Sequence, residues 1–365
     1  MKYSDFVNYD LLDPFKEESL RRFRRTLSFP KGGVSILEES LGETAVVIDM
    51  GRFCDFYLAF NVEGLGTKNK IAEKMLRLGK NWEIDGRKLF SGLGQCSMAM
   101  SLNDLSSVGA APFVYGPIVS TGDSAYVNDE KKAAGIIDGF ENGAKISGVA
   151  IPCGETPTLK GIIGKETLDL SGASIGIISP KSRLTLGEDL ESGLSIYGVS
   201  SSGIHANGVS LARAISEKLK DGYFTKLPSG RTLGEVLLTP TTLYAPFVES
   251  LFENGVDIKY MQPITGHGWG KIMRKKKNLR YVIENLPEPQ EEFTFLQKKG
   301  DVSDEEAYKT WNMGIGWIVF APIMDAGRID AAGKKNGLKV YELGRTEKGD
   351  REVVLRRKNI VYRAK

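Results

Sequence analysis

Cysteine is scarce in this sequence of 365 residues, in which only Cys54, Cys96 and Cys153 occur. No pair of them has the CxxC spacing, so the sequence indicates neither a disulfide framework nor a zinc site. Long apolar runs are also missing. The longest, at residues 315–324, is too short to span a bilayer, and acidic residues interrupt the N-terminus before any apolar run. We therefore expect a soluble, cytoplasmic protein without a membrane partner.

An excess of charge of one sign is missing as well. The 49 lysines and arginines outweigh the 46 acidic residues by only +3, and the basic clusters at residues 21–25 and 275–277 are local. Nothing in this composition demands a nucleic-acid partner. A chain of 365 residues exceeds what one hydrophobic core usually organises. We expect two domains, residues 1–180 and 181–365, with the boundary in the polar segment that starts at Pro180.

Glycine, in contrast, is abundant, with 42 residues and no fixed period, which suits turns and ligand-binding loops. Both halves of the chain repeat the order strand, glycine loop, helix. Strands are predicted at residues 45–48, 56–60, 113–119, 148–151, 174–179, 195–199 and 313–320, and helices near residues 71–78, 96–108, 133–144, 211–215 and 243–252. This alternation predicts an α/β (α+β) protein.

The first glycine loop runs from Glu63 to Lys68. Gly64 and Gly66 in this loop have no Cβ atoms, so backbone amides can approach phosphate oxygens. Lys68 supplies a cation, and Glu63 is a candidate magnesium ligand. The loop lacks the GxxxxGK[ST] spacing of a P-loop, so a tight turn before a helix is an equal alternative.

Two further carboxylates are candidates for the same chemistry. Asp104, after Asn103, lies in a largely apolar helical stretch, where a carboxylate is costly to bury unless a metal, cation or hydrogen-bond donor compensates it. Glu155, between Gly154 and Thr156, follows a predicted strand, where open α/β sheets commonly build sites. An exposed helix face and an ordinary turn are the respective alternatives.

Histidine is rare, and the two histidines, His205 and His267, lie in glycine-rich loops at residues 200–208 and 264–268. A lone histidine is more often structural than catalytic. A loop of serines, glycine, histidine and asparagine at the start of a helix nevertheless offers several anion donors together. The basic run from Lys271 to Arg280 is interpreted as a solvated helix face.

In their order along the chain, these loops resemble those of the aminoimidazole ribonucleotide synthetase (phosphoribosylformylglycinamidine cyclo-ligase) family over most of the sequence. The matching segments are Glu63–Lys68, Asn103–Leu105 with Gly109, Ala110 and Pro112, Gly154–Thr156, Ser201–Gly208, Leu238–Thr241, Ile264–Gly266 and Asn312–Gly316. The resemblance implies a two-domain fold. Its N-terminal domains would pair across a homodimer into a shared β-barrel, and its C-terminal domain would be a layered α/β unit.

The resemblance also implies an activity, the ATP-dependent cyclisation of formylglycinamidine ribonucleotide to aminoimidazole ribonucleotide, with ATP and Mg²⁺ bound. It assigns residues to overlapping groups. Magnesium would be held by Glu63, Asp104 and Glu155; ATP and its phosphates by Gly64, Gly66, Thr67, Lys68, Asn103, Gly154, Glu155 and Thr156; and the substrate by Ser201, Ser202, Gly203, His205, Asn207, Gly208, Thr265, Gly266 and His267. His205, Lys68 and Asp104 would act in catalysis.

Several positions depart from the family pattern. Glu63 and Cys96 stand where the family commonly has aspartate, and residues 157–161 and 266–268 differ from its usual Ala-Glu-Met-Pro-Gly and triple-glycine motifs. These departures keep two alternatives open. One is a divergent small-molecule kinase of the same ATP-binding superfamily, and the other is a catalytically silent nucleotide-binding relative.

Overall fold

The computed structural model describes residues 2–6, 9–30, 32–79 and 85–364. The strands are β1 (Ser35–Ile36), β2 (Val46–Asp49), β3 (Tyr57–Gly64), β4 (Ala111–Thr121), β5 (Leu168–Ile178), β6 (Ser195–Ser200), β7 (Tyr260–Pro263), β8 (Leu279–Ile283), β9 (Ile315–Ala321), β10 (Val340–Lys348), β11 (Glu352–Leu355) and β12 (Ile360–Arg363). The helices are α1 (Tyr9–Phe23), α2 (Asn69–Leu78), α3 (Gly86–Ser107), α4 (Glu130–Ser147), α5 (Val209–Ser216), α6 (Leu233–Leu237), α7 (Ala245–Glu253), α8 (Glu291–Gly300), α9 (Asp304–Thr310) and α10 (Ala326–Lys335).

The first sheet has five strands in the order β1-β2-β3-β5-β4, and its neighbouring strands are antiparallel. Along β5, buried residues alternate with more exposed ones, as expected of a strand with one face on a core. The long helix α3 packs on this sheet, and most of its residues are buried. It is buried on nearly all sides because α4 and elements of the second half cover what the sheet leaves open.

Glycines let α3 and α4 approach each other closely. A Cβ atom on Gly94 would lie 2.5 Å from Ile136 O, and one on Gly139 would lie 2.4 Å from Ser91 O. Side-chain carbons do not come this near to backbone atoms, so the spacing of the two helices requires glycine at both positions. The close contact holds α3 firmly against its neighbours, which fixes the position of Asn103 and Asp104 near its end.

The second sheet has seven strands in the order β12-β11-β8-β10-β6-β9-β7, with β8 and β11 parallel and the other neighbours antiparallel. Strand β9, which lies between β6 and the edge strand β7, is buried along its whole length. Trp317 and Val319 pack in a cluster with α7 and α10, whereas Ile318 and Phe320 belong to a larger core that continues into the first half. A strand covered on both faces needs a continuous apolar run, which is what the sequence has there.

Most of the predicted elements are present, with ends shifted by a few residues. The strand predicted at residues 148–151 is wrong, because this segment pairs with β4 only at an isolated bridge between Ala150 and Val114. The solvated helix face predicted from Lys271 to Arg280 is also wrong. A short 3-10 turn, Gly268–Met273, is followed there by β8.

The first sheet lies within residues 35–178 and the second within residues 195–363. The division of the chain at residue 180 stays a prediction. Within the described ranges, no helix combines the length and the apolarity that crossing a membrane requires.

Candidate functional site

A cavity of about 790 Å³ lies between the two halves of the chain. Its walls are Tyr3, Glu43, Thr44, Glu63–Thr67, Met100 and Asp104 from the first half, and Ala206–Ser210, Thr265–His267, Gly270, Lys271 and Arg274 from the second. A volume of this size is typical of small-molecule sites. Of the predicted site residues, the cavity brings together Glu63, Gly64, Gly66, Thr67, Asp104, Asn207, Gly208, Thr265, Gly266 and His267.

Two glycine loops meet in this cavity, one from each half. Gly66 precedes α2 and Gly208 precedes α5, and both have left-handed backbone, with φ of 77° and 71°, a conformation that glycine adopts without strain. Thr67 Oγ1 and Ser210 Oγ are 3.3 Å apart, so the starts of the two helices are adjacent. Backbone amides at the start of a helix favour anions such as phosphate. The cavity therefore offers phosphate donors from both halves.

Glu63 and Asp104 form an acidic side of the cavity. Asp104 is only 7% exposed, and its carboxylate has no hydrogen-bond or ion-pair partner among the residues that the structure describes. Burial raises the pKa of Asp104, and the nearby Lys271 charge opposes that rise. Glu63 is more exposed, and its pKa is raised by partial desolvation in the cavity and further by the charge of Asp104. A cation bound in the cavity would offset the cost of keeping both carboxylates ionised.

These pKa shifts make the stability of the ligand-free protein depend on pH. A carboxyl group whose pKa is raised by folding holds its proton more tightly in the folded state, so stability falls as pH rises from about 4 through the raised value. We expect Asp104→Asn to lose less stability than the wild type as the pH rises from about 4, in urea unfolding without Mg²⁺. Equal pH slopes for the two proteins would contradict a raised pKa at Asp104.

Lys271 and Arg274 form the basic side of the cavity, which the interpretation as a solvated helix face missed. Lys271 Nζ donates a hydrogen bond to Thr265 Oγ1. Arg274 donates from Nε to Gly42 O at 2.8 Å and from Nη2 to Glu43 O at 3.0 Å. The sequence signal that could have placed both cations here is their short distance along the chain from the predicted Thr265 loop.

The acidic side fits a magnesium ion that arrives with a nucleotide. Across the described part of the chain, no three His, Cys, Asp or Glu side chains are grouped as a metal site. Mg²⁺ is commonly held by one or two carboxylates together with substrate phosphates. Glu63 and the unpartnered Asp104 face the same cavity as the two glycine loops, so the residues present match that arrangement and not an all-protein cage.

Glu155, with Gly154 and Thr156, does not line this cavity. Glu155 bridges Ile118 of β4, on the side of β4 away from β5. Since Glu63 lies in β3, about three strand spacings, roughly 14 Å, separate the two backbones. A single chain therefore does not bring Glu155 to the other two predicted metal ligands.

Lys68 points away from the cavity and is fully buried. Its Nζ donates to His205 O at 2.8 Å and to Thr239 O at 2.6 Å. The next three carbonyls of the 239–242 segment also accept from side chains: Pro240 O from Ser202 Oγ at 2.6 Å, Thr241 O from Gln95 Nε2 at 3.0 Å and Thr242 O from Asn103 Nδ2 at 2.9 Å. Lys68 and Asn103, both predicted to bind ATP, thus join the two halves of the chain in this structure.

Cys96 contacts the same segment. It is fully buried, and its Sγ accepts hydrogen bonds from Thr241 N at 3.2 Å and from Thr241 Oγ1 at 3.3 Å. It is not one of the residues that line the cavity. The cysteine that stands at a commonly acidic position therefore serves the contact between the halves.

The loop at residues 201–208 divides into an anchored part and a lining part. Ser201 Oγ donates to Asn312 Oδ1 at 3.0 Å, and Gly203 O accepts from Asn312 Nδ2 at 2.8 Å. Asn207 and Gly208, at the other end of the loop, line the cavity. The predicted substrate residues Ser201 and Gly203 thus hold the loop in place, behind the residues that can touch a ligand.

His205 is buried behind the cavity wall, and its Nε2 accepts a hydrogen bond from Ser202 N at 3.3 Å. Burial, helped by the charge of Lys68, lowers the pKa of His205 to about 3. The imidazole is therefore neutral near pH 7, a form that gives up a proton far less readily than imidazolium does. We expect its NMR resonances to stay constant between about pH 5 and pH 8. A titration within that range would show that the ring is not held in this buried, neutral state.

Both halves of the chain match a known family of proteins. Residues 42–178 match the N-terminal domain of AIR synthase related proteins, and residues 191–356 match the C-terminal domain. A relative from Methanocaldococcus jannaschii, named phosphoribosylformylglycinamidine cyclo-ligase, is 34% identical over 80% of this chain and 79% of its own. The protein of the same name from Methanosarcina barkeri is 34% identical over 86% of this chain and 87% of its own.

Solved structures show the same fold at low identity. Escherichia coli HypE, a hydrogenase maturation protein, has a TM-score of 0.58 and 16% identity, over 84% of this chain and 85% of that one. AaThiL, complexed with AMPPCP and TMP, has a TM-score of 0.61 and 14% identity, over 99% of this chain and 96% of that one. The two-domain fold expected from the sequence is confirmed. With both domains matched and relatives 34% identical over most of its length, the chain belongs to the phosphoribosylformylglycinamidine cyclo-ligase family.

Proposed function

We propose that this protein catalyses the ATP-dependent cyclisation of formylglycinamidine ribonucleotide to aminoimidazole ribonucleotide, with release of ADP and phosphate. The observation that carries the proposal is the cavity between the halves, where two glycine loops at helix starts face the carboxylates Glu63 and Asp104. Curated relatives that bear the name of this activity support it.

The reaction requires positioning and charge neutralisation more than proton transfer. The γ-phosphoryl group of ATP would pass to the amide oxygen of the substrate. The amidine nitrogen would then attack the carbon that bears this oxygen, and inorganic phosphate would leave as the ring closes. Backbone amides near Gly66 and Gly208 would orient phosphate oxygens, and the cavity walls would hold the reacting groups together. A neutral, buried His205 suits a supporting role behind the loop.

ATP and Mg²⁺ belong to the same proposal. A related structure is that of HypE in complex with ATP, and that of AaThiL contains AMPPCP, so the shared fold accommodates adenine nucleotides in those proteins. In this chain, Glu63 and Asp104 would hold magnesium, which would neutralise phosphate charge. We place the protein in the cytoplasm, in line with its three unpaired cysteines.

We further propose that the protein forms a homodimer through the outer face of the first sheet. The register places Phe60, Ile175 and Val114 in one row across β3, β5 and β4. Phe60 and Val62 are 41% and 57% exposed, which is unusual for neighbouring apolar residues on one sheet face. Pairing of two such faces would close a barrel and bury them. Light scattering should give a dimeric mass for the wild type and a monomeric one for Val62→Glu.

The test of function is a reconstitution with purified protein, Mg²⁺-ATP and formylglycinamidine ribonucleotide. Both ADP and aminoimidazole ribonucleotide are measured, with controls that lack each reactant in turn. We expect the two products in equal amounts and only when all components are present. ADP formation without ring closure, or in response to another small molecule, would favour the divergent kinase. Nucleotide binding without turnover would favour a silent relative.

A further inference from the structure

The geometry points to Lys271 as the phosphate-binding cation of this site, which in the absence of nucleotide serves as the counter-ion of Glu63 and Asp104. This inference rests on the proposed function, because it takes ATP as the ligand of the cavity. It replaces the expectation that Lys68 holds the phosphate chain. Lys68 is fully buried, outside the cavity walls, and its ammonium already donates to the carbonyls of His205 and Thr239.

Lys271 is the cation in this region that remains available to a ligand. Arg274 is held by the carbonyls of Gly42 and Glu43, and Lys275 pairs with Glu188. Lys271 Nζ contacts the hydroxyl of Thr265, and among the described residues it has no ion-pair partner within 4.0 Å. A lysine can turn its ammonium without moving its backbone, since the flexible four-carbon stem carries three rotatable donors.

The charges around Lys271 indicate what this ammonium does before a nucleotide arrives. Burial lowers the pKa of Lys271 and raises the pKa of Asp104. The charges of the two groups oppose both shifts, and the charge of Glu63 also opposes the fall at Lys271. The two carboxylates and the ammonium line one cavity with the glycine loops. Glu63 and Asp104 would hold Mg²⁺ in the nucleotide complex, and the Lys271 ammonium would then be free to bind phosphate oxygens. Lys271 and Mg²⁺ would thus compete for the same two carboxylates.

This competition predicts that one variant, Lys271→Met, has a lower affinity for the nucleotide and a higher affinity for the metal. Affinity for a non-hydrolysable ATP analogue in the presence of Mg²⁺ should fall by about tenfold or more, as for the loss of a charge-assisted hydrogen bond. Affinity for Mg²⁺ alone should rise severalfold, because the competing positive charge is gone. Both are measured by calorimetric titration of the full-length protein, and neither measurement requires turnover. A purely structural role for Lys271 would not raise metal affinity.

Lys276→Met is the matched control, because it removes the same charge from the same segment at an exposed side chain. It should leave both affinities within about twofold of the wild type. If Lys271→Met does not fold, Lys271→Arg is titrated instead, and it should keep nucleotide affinity within about tenfold while Mg²⁺ affinity stays low. Unchanged nucleotide affinity in Lys271→Met, or a loss of affinity for both ligands, would overturn the inference. A protein that binds ATP as described here but forms no aminoimidazole ribonucleotide would refute only the proposed function.

Discussion

Asp104→Asn should make the ligand-free protein more stable while it abolishes most of its activity. The carboxylate is buried and has no hydrogen bond or ion pair within 4.0 Å among the described residues. Burial raises its pKa despite the opposing charge of Lys271, so its charge costs free energy near pH 7. A neutral amide of the same shape removes that cost, and we expect a gain of about 1–2 kcal/mol in urea unfolding without Mg²⁺. Turnover should fall by about 10²- to 10³-fold, because the metal loses a charged ligand.

The control for this result is Asp350→Asn, which removes an exposed carboxylate from the turn between β10 and β11. It should change the free energy of unfolding by no more than about 0.5 kcal/mol and leave turnover nearly unchanged. A loss of stability in Asp104→Asn would show that this carboxylate is satisfied in the free protein. Retained activity would remove Asp104 from the metal site.

Lys68→Met should destabilise the protein by about 2–4 kcal/mol, with little direct effect on ATP affinity in the fraction that folds. The substitution keeps most of the apolar stem but leaves the carbonyls of His205 and Thr239 without their donor. Buried acceptors that lose a charged partner cost about this much free energy. Urea unfolding gives the stability, and analogue binding at low temperature gives the affinity.

Lys70→Met, two residues away, is the comparison for Lys68→Met. Lys70 is 40% exposed and pairs with Glu73 at 3.4 Å, so its loss should cost no more than about 0.5 kcal/mol. A different result would contradict this prediction: Lys68→Met as stable as the wild type but binding the analogue more than about tenfold more weakly. Lys68 would then be the phosphate ligand that the family resemblance implies. Its contacts in the ligand-free structure would not persist in the complex.

The parts of the site that could be predicted from sequence are those that depend on backbone conformation. A glycine before a helix implies a left-handed or close-approach position in any fold, and the cavity does bring the loops around Gly66 and Gly208 together. The direction of a long side chain carries no such signal. Lys68 follows the first loop as a phosphate-binding lysine would, yet its ammonium turns toward carbonyls supplied more than 130 residues later in the chain.

The sequence did not identify Lys271 as a residue of the site, because its neighbours along the chain are also basic. It stands in a dense run of basic residues, and such runs are usually solvated. The run is in fact divided by a 3-10 turn that directs its first members into the cavity, while Lys275 pairs at the surface with Glu188. Its environment comes from a turn and from an acidic residue in another helix, so no local pattern distinguishes Lys271 from its neighbours.

The 239–242 segment is recognised through its main chain, since four consecutive carbonyls accept hydrogen bonds from the side chains of Lys68, Ser202, Gln95 and Asn103. Every residue type has a carbonyl, and Pro240 does not need to donate. Three of these donors, Lys68, Gln95 and Asn103, come from the first half. Contact between the halves therefore constrains these three donors and the backbone path of the segment more than it constrains the residue types of the segment. Chimeras that join the N-terminal half of one relative to the C-terminal half of another should tolerate exchanges within the segment, provided that the N-terminal half keeps the three donors.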